Sequence, residues 1–212
     1  MIFPKLAVLN APKVFTSLVI DGKLSEKCWN QAKAKSFRMA QLSFKEFSDN
    51  PTTARAVWTD KGIVLGLEML ENKMNELREL KKKNTVHVHE DNSIEIFISQ
   101  PEKKENYLQI LFNSLGFSFS IMKENGRKFN PKSSCKIKVH KEKDKWTAEV
   151  FIPFSILHTK TQISKGIEFP VNIVRNRKTG IILGETQRLN TRYKKRNNDL
   201  SAFGTIKLSE LD

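Results

Sequence analysis

The chain has 212 residues, 39% of them hydrophobic and 28% charged, with 37 Lys+Arg against 23 Asp+Glu. That length suits one large domain with a real core, and 14 Phe keep the composition away from that of disordered chains. No apolar run reaches the roughly 18 residues a membrane helix needs, and two cysteines, Cys28 and Cys135, allow at most one disulfide and no zinc framework.

The elements read mostly as strands. Residues 14–20 are rich in β-branched side chains and end at Asp21-Gly22, where Gly supplies the positive φ of a turn. Ser25 to Trp29 reads as a short helical turn that Ser25 is suited to cap. Residues 53–58 and 63–67 flank Thr59-Asp60-Lys61-Gly62 and make a hairpin. Residues 72–83 carry Met74, Leu77 and Leu80 at helical spacing, and fit either a helix or a charged surface loop. Alternation returns in residues 92–98 and 107–113. The turn Asn113-Ser114-Leu115-Gly116 then leads into Phe117, Phe119 and Ile121, which share one face. Residues 146–152 form another strand, stopped by Pro153 and followed by a short helix at 154–157. Residues 169–175 and 203–208 complete the series. Short strands divided by turn signals, without repeats or a Gly/Ser linker, predict an all-β, single-domain chain: a jelly-roll-like antiparallel β-sandwich with short helical insertions. The domain is read as residues 1–212, with its core at about 14–208.

The net charge of +14 comes from 28 Lys and 9 Arg, mostly scattered, as on a solvated lysine-rich surface. One stretch differs. Arg175, Arg177, Lys178, Arg188, Arg192, Lys194, Lys195 and Arg196 fall within 22 residues opposed by Glu185 alone, a concentration suited to steering an anion. Nucleic acid is an unlikely partner, because the aromatic interleaving and motifs of its binding modules are missing. No phosphate loop, nucleophile elbow or His-Glu-x-x-His motif occurs, so the chain advertises no catalytic constellation and is read as no enzyme. His87-Val88-His89-Glu90-Asp91, if extended, puts two imidazoles on one face, where they could hold a metal or form part of a polar edge. Glu95 alternates against Ile94, Ile96 and Ile98. It therefore faces outward, where a carboxylate can accept hydrogen bonds from sugar hydroxyls.

In order, these residues resemble carbohydrate-binding module family 9, within the DOMON-like β-sandwich superfamily. The carriers are Ile20-Asp21-Gly22 with Glu26 and Trp29, the hairpin around Asp60, and Asp91-Asn92-Ser93-Ile94-Glu95-Ile96-Phe97. They continue in the 107–116 strand and turn, in Trp146-Thr147-Ala148-Glu149 through Ile152-Pro153, in Asn172 to Arg175, and in Phe203-Gly204 with Ile206. The resemblance implies a non-catalytic saccharide- or polysaccharide-binding domain, found beside glycoside hydrolase domains, with structural calcium and an extracellular or periplasmic location. Residues 1–12 do not read as a signal peptide.

In that family two aromatic faces sandwich a terminal sugar, since sugar C–H groups stack on rings while hydroxyls bond at the rim. Here His89 stands at the first platform position. Asn197, or Tyr193 after a small shift, stands at the second. Glu95, Gln109 and Arg175 complete the implied ligand-binding set, and the basic run beside it points to an anionic saccharide. Trp29, Trp58 and Trp146 all match scaffold positions. The alternatives are a sandwich that binds haem or another ligand, with His87, His89, Met69 or Met122 as axial ligands, and a basic contact domain with a decayed sugar site.

Overall fold

Alternating apolar residues lay down strands that bury one face each, and two such faces close on one another. The computed structural model describes residues 6–15, 18–32, 35–37, 50–131, 134–178, 185–188 and 198–210. Their strands are β1 (Val8–Pro12), β2 (Lys35–Phe37), β3 (Thr52–Thr59), β4 (Gly62–Leu70), β5 (Ser93–Ser99), β6 (Tyr107–Asn113) and β7 (Ser118–Glu124). Then follow β8 (Arg127–Phe129), β9 (Lys136–Lys141), β10 (Lys145–Pro153), β11 (Glu168–Arg177), β12 (Glu185–Arg188) and β13 (Gly204–Ser209). The larger sheet runs β1-β13-β11-β5-β6-β7-β8, with β12 paired to β11; the smaller runs β2-β3-β4-β10-β9. All these pairings are antiparallel except β1 with β13. The molecule is a β-sandwich, with one short helix among the described residues, α1 (Lys27–Gln31), and brief 3-10 turns.

The core lies between the sheets. Ile94, Ile96, Ile98, Leu108, Ile110 and Phe112 of the larger sheet meet Ala56, Leu65, Leu67, Met69, Trp146 and Val150 of the smaller. Phe112 and Trp146 pack edge to face at 6.4 Å. Trp29, Trp58 and Trp146 are all buried, as scaffold residues should be.

The outer face of the smaller sheet is closed by the chain's own N-terminal segment. Val14, Ile20, Cys28 and Trp29 pack over Val57 and Val64. Glu149, in the middle of β10, points into this layer. Its Oε2 accepts from the amides of Asp21 (2.8 Å) and Gly22 (2.9 Å), and its Oε1 accepts from the Trp29 indole (3.0 Å). Gly22 has φ +92°, and a Cβ there would lie 2.7 Å from the Val139 carbonyl carbon, so the turn takes glycine. The Asp-Gly and Trp of the opening motif and the Glu of the later strand are therefore a single hydrogen-bonded unit.

Two local expectations are corrected, and the open choice at residues 72–83 is resolved as a loop. The first strand is Val8–Pro12, not residues 14–20, because β1 pairs in parallel with β13 and buries Leu9 and Ala11 in the core. Helix α1 begins after Glu26 without a side-chain cap, so Ser25 does not serve as one. In residues 72–83 only Met74–Glu76 forms a 3-10 turn, and the rest is loop. Cys28 and Cys135 are free thiols, one under the N-terminal layer and the other against the main core. Burial raises their pKa values to about 11 and about 12, with Glu26 and Glu149 adding to the effect at Cys28.

Candidate functional site

The larger sheet presents a second outer face, and the register defines what lies on it. Glu95 of β5 stands opposite Leu111 of β6 and Val174 of β11; Phe97 stands opposite Gln109; Ser93 stands opposite Asn113 and Asn176. Phe119 and Ile121 of β7 extend the same face past Leu111 and Gln109. One end is sealed. Phe97, Tyr107, Val174 and Phe203 form a satellite cluster with Leu200, and Asn198 donates to the Tyr107 hydroxyl (3.2 Å).

The other end carries the polar groups. Glu95 Oε2 accepts from Gln109 Nε2 (3.3 Å) and Oε1 from Asn176 Nδ2 (3.0 Å). Each carboxylate oxygen has two acceptor positions, so the carboxylate keeps capacity for two more donors. Because the amide nitrogens of Gln109 and Asn176 are turned to Glu95, their carbonyl oxygens are the acceptors of those side chains. The result is an acceptor-rich floor, which suits groups that donate, such as hydroxyls.

Donors stand at the rim. Lys178 follows β11 and donates from Nζ to the His89 carbonyl (3.0 Å), tying the 3-10 turn Val86–Glu90 to the end of β11. Burial first, and the neighbouring Arg78 charge second, hold the Lys178 pKa below the ordinary lysine value, while Glu90, Asp91 and Glu95 pull the other way. His89 Nδ1 lies 2.7 Å from the Val86 carbonyl. That contact requires a proton on Nδ1 and leaves Nε2 for a ligand. The His87 and His89 rings stack at 6.3 Å.

The structure thus brings Glu95 and Gln109 into direct contact and places His89 next to Lys178 at the same end of the face. Arg175 is a correction. It alternates with Ile173 onto the inner face, opposite Ile94, and is fully buried. Its guanidinium donates to Glu71 Oε2 (3.0 Å) and to the carbonyls of Asn50 and Leu70, so it is structural and does not reach the outer face. Arg177 donates to both oxygens of Glu71 as well. Two of the eight cations in the basic run are therefore spent on one internal carboxylate. Tyr193, Asn197, and Arg192, Lys194, Lys195 and Arg196 lie outside the described residues. Asn176, Lys178 and Arg78 were not singled out as ligand-binding residues. Asn176 was legible, since strict alternation from the apolar Ile173 puts 174 and 176 on the face opposite 173 and 175.

The His-Val-His-Glu-Asp string is a 3-10 turn, not a strand. His87 Nδ1 pairs with Glu90 Oε1 (2.8 Å), Lys81 with Glu90 Oε2 (2.8 Å), and Asp91 accepts from the Leu80 and Lys81 amides and from Asn113. Among the described residues no three His, Cys, Asp or Glu side chains stand together as a metal-ligand group. Met69 and Met122, weighed as haem ligands, are fully buried in the inter-sheet core.

Comparison with known proteins agrees with this architecture. The profile of the carbohydrate family 9 binding domain-like family matches residues 20–211, and the chain belongs to that family. A candidate carbohydrate-binding protein of Bacteroides uniformis shares the fold at TM-score 0.74 and 15% identity, over 95% of this chain and 99% of that one. A family 9 carbohydrate-binding module of Caldicellulosiruptor kristjanssonii in complex with cellotriose gives TM-score 0.70 and 15% identity, covering 97% and 95% of the two chains. The module in complex with glucose gives 0.66 at 15% identity, covering 97% of each chain. No curated protein matches the chain in sequence.

Proposed function

We propose that this is a non-catalytic carbohydrate-binding domain whose ligand lies on the outer face of the larger sheet. Glu95, Gln109 and Asn176 accept hydrogen bonds from its hydroxyls, while His89 offers a ring for stacking. The observation that carries this reading is the Glu95 carboxylate. It lies on an outward strand position, is held by two side-chain amides, and keeps spare acceptor positions. A rigidly held acceptor loses little entropy on binding, which favours affinity for a small polar ligand. A terminal sugar fits best, because the face is closed at its Phe203 end and a chain could leave in one direction only. The absence of a second free carboxylate beside Glu95 among the described residues supports binding over hydrolysis, which uses a pair. Attachment to a glycoside hydrolase and an extracellular or periplasmic location complete the proposal, on family grounds.

Titration calorimetry with glucose and cello-oligosaccharides tests the reading. Wild-type protein is expected to bind at least one of them, and Glu95→Ala to lose about tenfold or more, the loss expected from removing a charge-assisted hydrogen-bond acceptor. Affinity that is unchanged in Glu95→Ala would overturn the site.

A further inference from the structure

Two cations at the open end of this face have no counter-ion. Neither Arg78 nor Lys178 lies within ion-pair distance of a carboxylate among the described residues. Main-chain bonds bring them together. The Arg78 amide donates to the Lys178 carbonyl (3.0 Å), and the Arg78 carbonyl accepts from the Asn92 amide (3.0 Å). Arg78 therefore sits between the end of β11 and the start of β5, next to the strand that carries Glu95. Its Nε is buried without an acceptor, and the Oδ1 of the neighbouring Asn92 is buried without a donor. The Lys178 ammonium has only the His89 carbonyl. The two positive charges are close enough that Arg78 lowers the pKa of Lys178.

Three carboxylates lie within electrostatic range of Lys178, so the local charge alone does not single out an anion. Hydrogen bonding does. Glu90 is taken by Lys81 and His87, Asp91 by two amides and Asn113, and Glu95 by Gln109 and Asn176. The negative groups have donors, whereas Arg78 Nε lacks an acceptor and Lys178 Nζ has only the His89 carbonyl. A buried water between Arg78 Nε and Asn92 Oδ1 would satisfy those two atoms. It would leave the terminal guanidinium nitrogens and the ammonium open, still repelling one another. A group with several charged oxygens answers both deficits, since guanidinium and ammonium bond most strongly to such acceptors.

We infer that Arg78 and Lys178 form a subsite for the carboxylate or sulfate of an acidic saccharide whose hydroxyls reach Glu95, Gln109 and Asn176. The inference rests on the carbohydrate reading above and narrows it to acidic sugars. It also moves the anion-binding residues away from Arg175 and Arg177, which are buried against Glu71.

Calorimetry with three probes of matched length decides it: an oligogalacturonate, a sulfated oligosaccharide and a neutral cello-oligosaccharide. Each is titrated into wild-type protein, Arg78→Gln, Lys178→Gln, Lys178→Arg and the exposed control Lys143→Gln, with thermal melts to confirm folding. One acidic probe is expected to bind about tenfold more tightly than the neutral one, in line with a charge-assisted pair. The better acidic probe assigns carboxylate or sulfate. Arg78→Gln and Lys178→Gln should each erase most of that preference, while Lys178→Arg and Lys143→Gln retain it. Equal affinity for acidic and neutral probes, or a preference that survives both Gln variants, would overturn the acidic subsite and leave the carbohydrate reading intact. No binding of any probe would overturn both.

Discussion

Each outer face of the sandwich has a glutamate at an outward position in the middle of a strand, and the two have opposite fates. Glu149 on the smaller sheet is fully buried beneath Val14, Ile20 and α1, and two amides and an indole donate to its oxygens. Glu95 on the larger sheet, itself only 9% exposed, is held by two side-chain amides. What differs is the set of donors each carboxylate receives. The N-terminal segment brings donors down onto Glu149 and makes it a structural anchor, whereas over Glu95 the described segment 198–203 seals only the Phe97–Tyr107 end. A carboxylate serves a ligand when the fold leaves some of its acceptor capacity unused.

The contrast can be broken most severely from inside. Glu71→Ala would remove the carboxylate shared by two buried guanidiniums, Arg175 and Arg177, and is expected to cost about 3–5 kcal/mol in denaturant unfolding. A loss below about 1 kcal/mol would mean that water reaches them. Glu149→Ala comes next, on the order of 3 kcal/mol, because it leaves the Asp21 and Gly22 amides and the Trp29 indole without an acceptor. Glu95→Ala should cost about 1 kcal/mol or less, since its amide partners can turn to water, while affecting binding most. Equal stability losses for Glu95→Ala and Glu149→Ala would erase the distinction between the faces.

The smallest effect is a matter of pH. At Glu102 burial works to raise the pKa, but the Lys160 amide and the Thr161 and Thr159 hydroxyls outweigh it and hold the value at about 2. A folded pKa below the unfolded one means that this carboxylate adds stability above about pH 4.3, which is lost as the pH falls toward 2. The group is exposed, so after solvent screening the effect is expected to stay under about 1 kcal/mol. Glu102→Gln should flatten stability between about pH 4 and pH 2 by that amount, in unfolding curves measured across the range. Glu149 works in the opposite direction. Its pKa is raised, by burial first, so it is not among the carboxylates whose protonation drives acid unfolding.

Much of the scaffold was legible in the sequence. The hairpin of β3 and β4, the alternation of β5 and β6, the turn at Gly116 and the stop at Pro153 all rest on neighbouring residues, and neighbours suffice when the rule is a period of two or a special φ. The first strand was misplaced for the opposite reason. Residues 14–20 and residues 8–12 are both apolar, and the pairing partner, β13, lies some two hundred residues away. The site divides in the same way. Glu95 and Gln109 belong to clean alternating strands and could be read as outward. Arg175 was grouped with them because its cationic neighbours drew attention, although its phase with Ile173 already placed it inside.

Side-chain periodicity and turn chemistry are local, so the sandwich, the inward and outward faces of its central strands and the family are all written in neighbouring residues. Tertiary structure alone decided which carboxylates were satisfied. Glu71 found Arg175 and Arg177, Glu149 found the Asp21-Gly22 turn, and Glu95 was left with room to accept. Hydrogen-bond partners more than one hundred residues apart in the chain are set by how the layers close, and no local pattern carries that information.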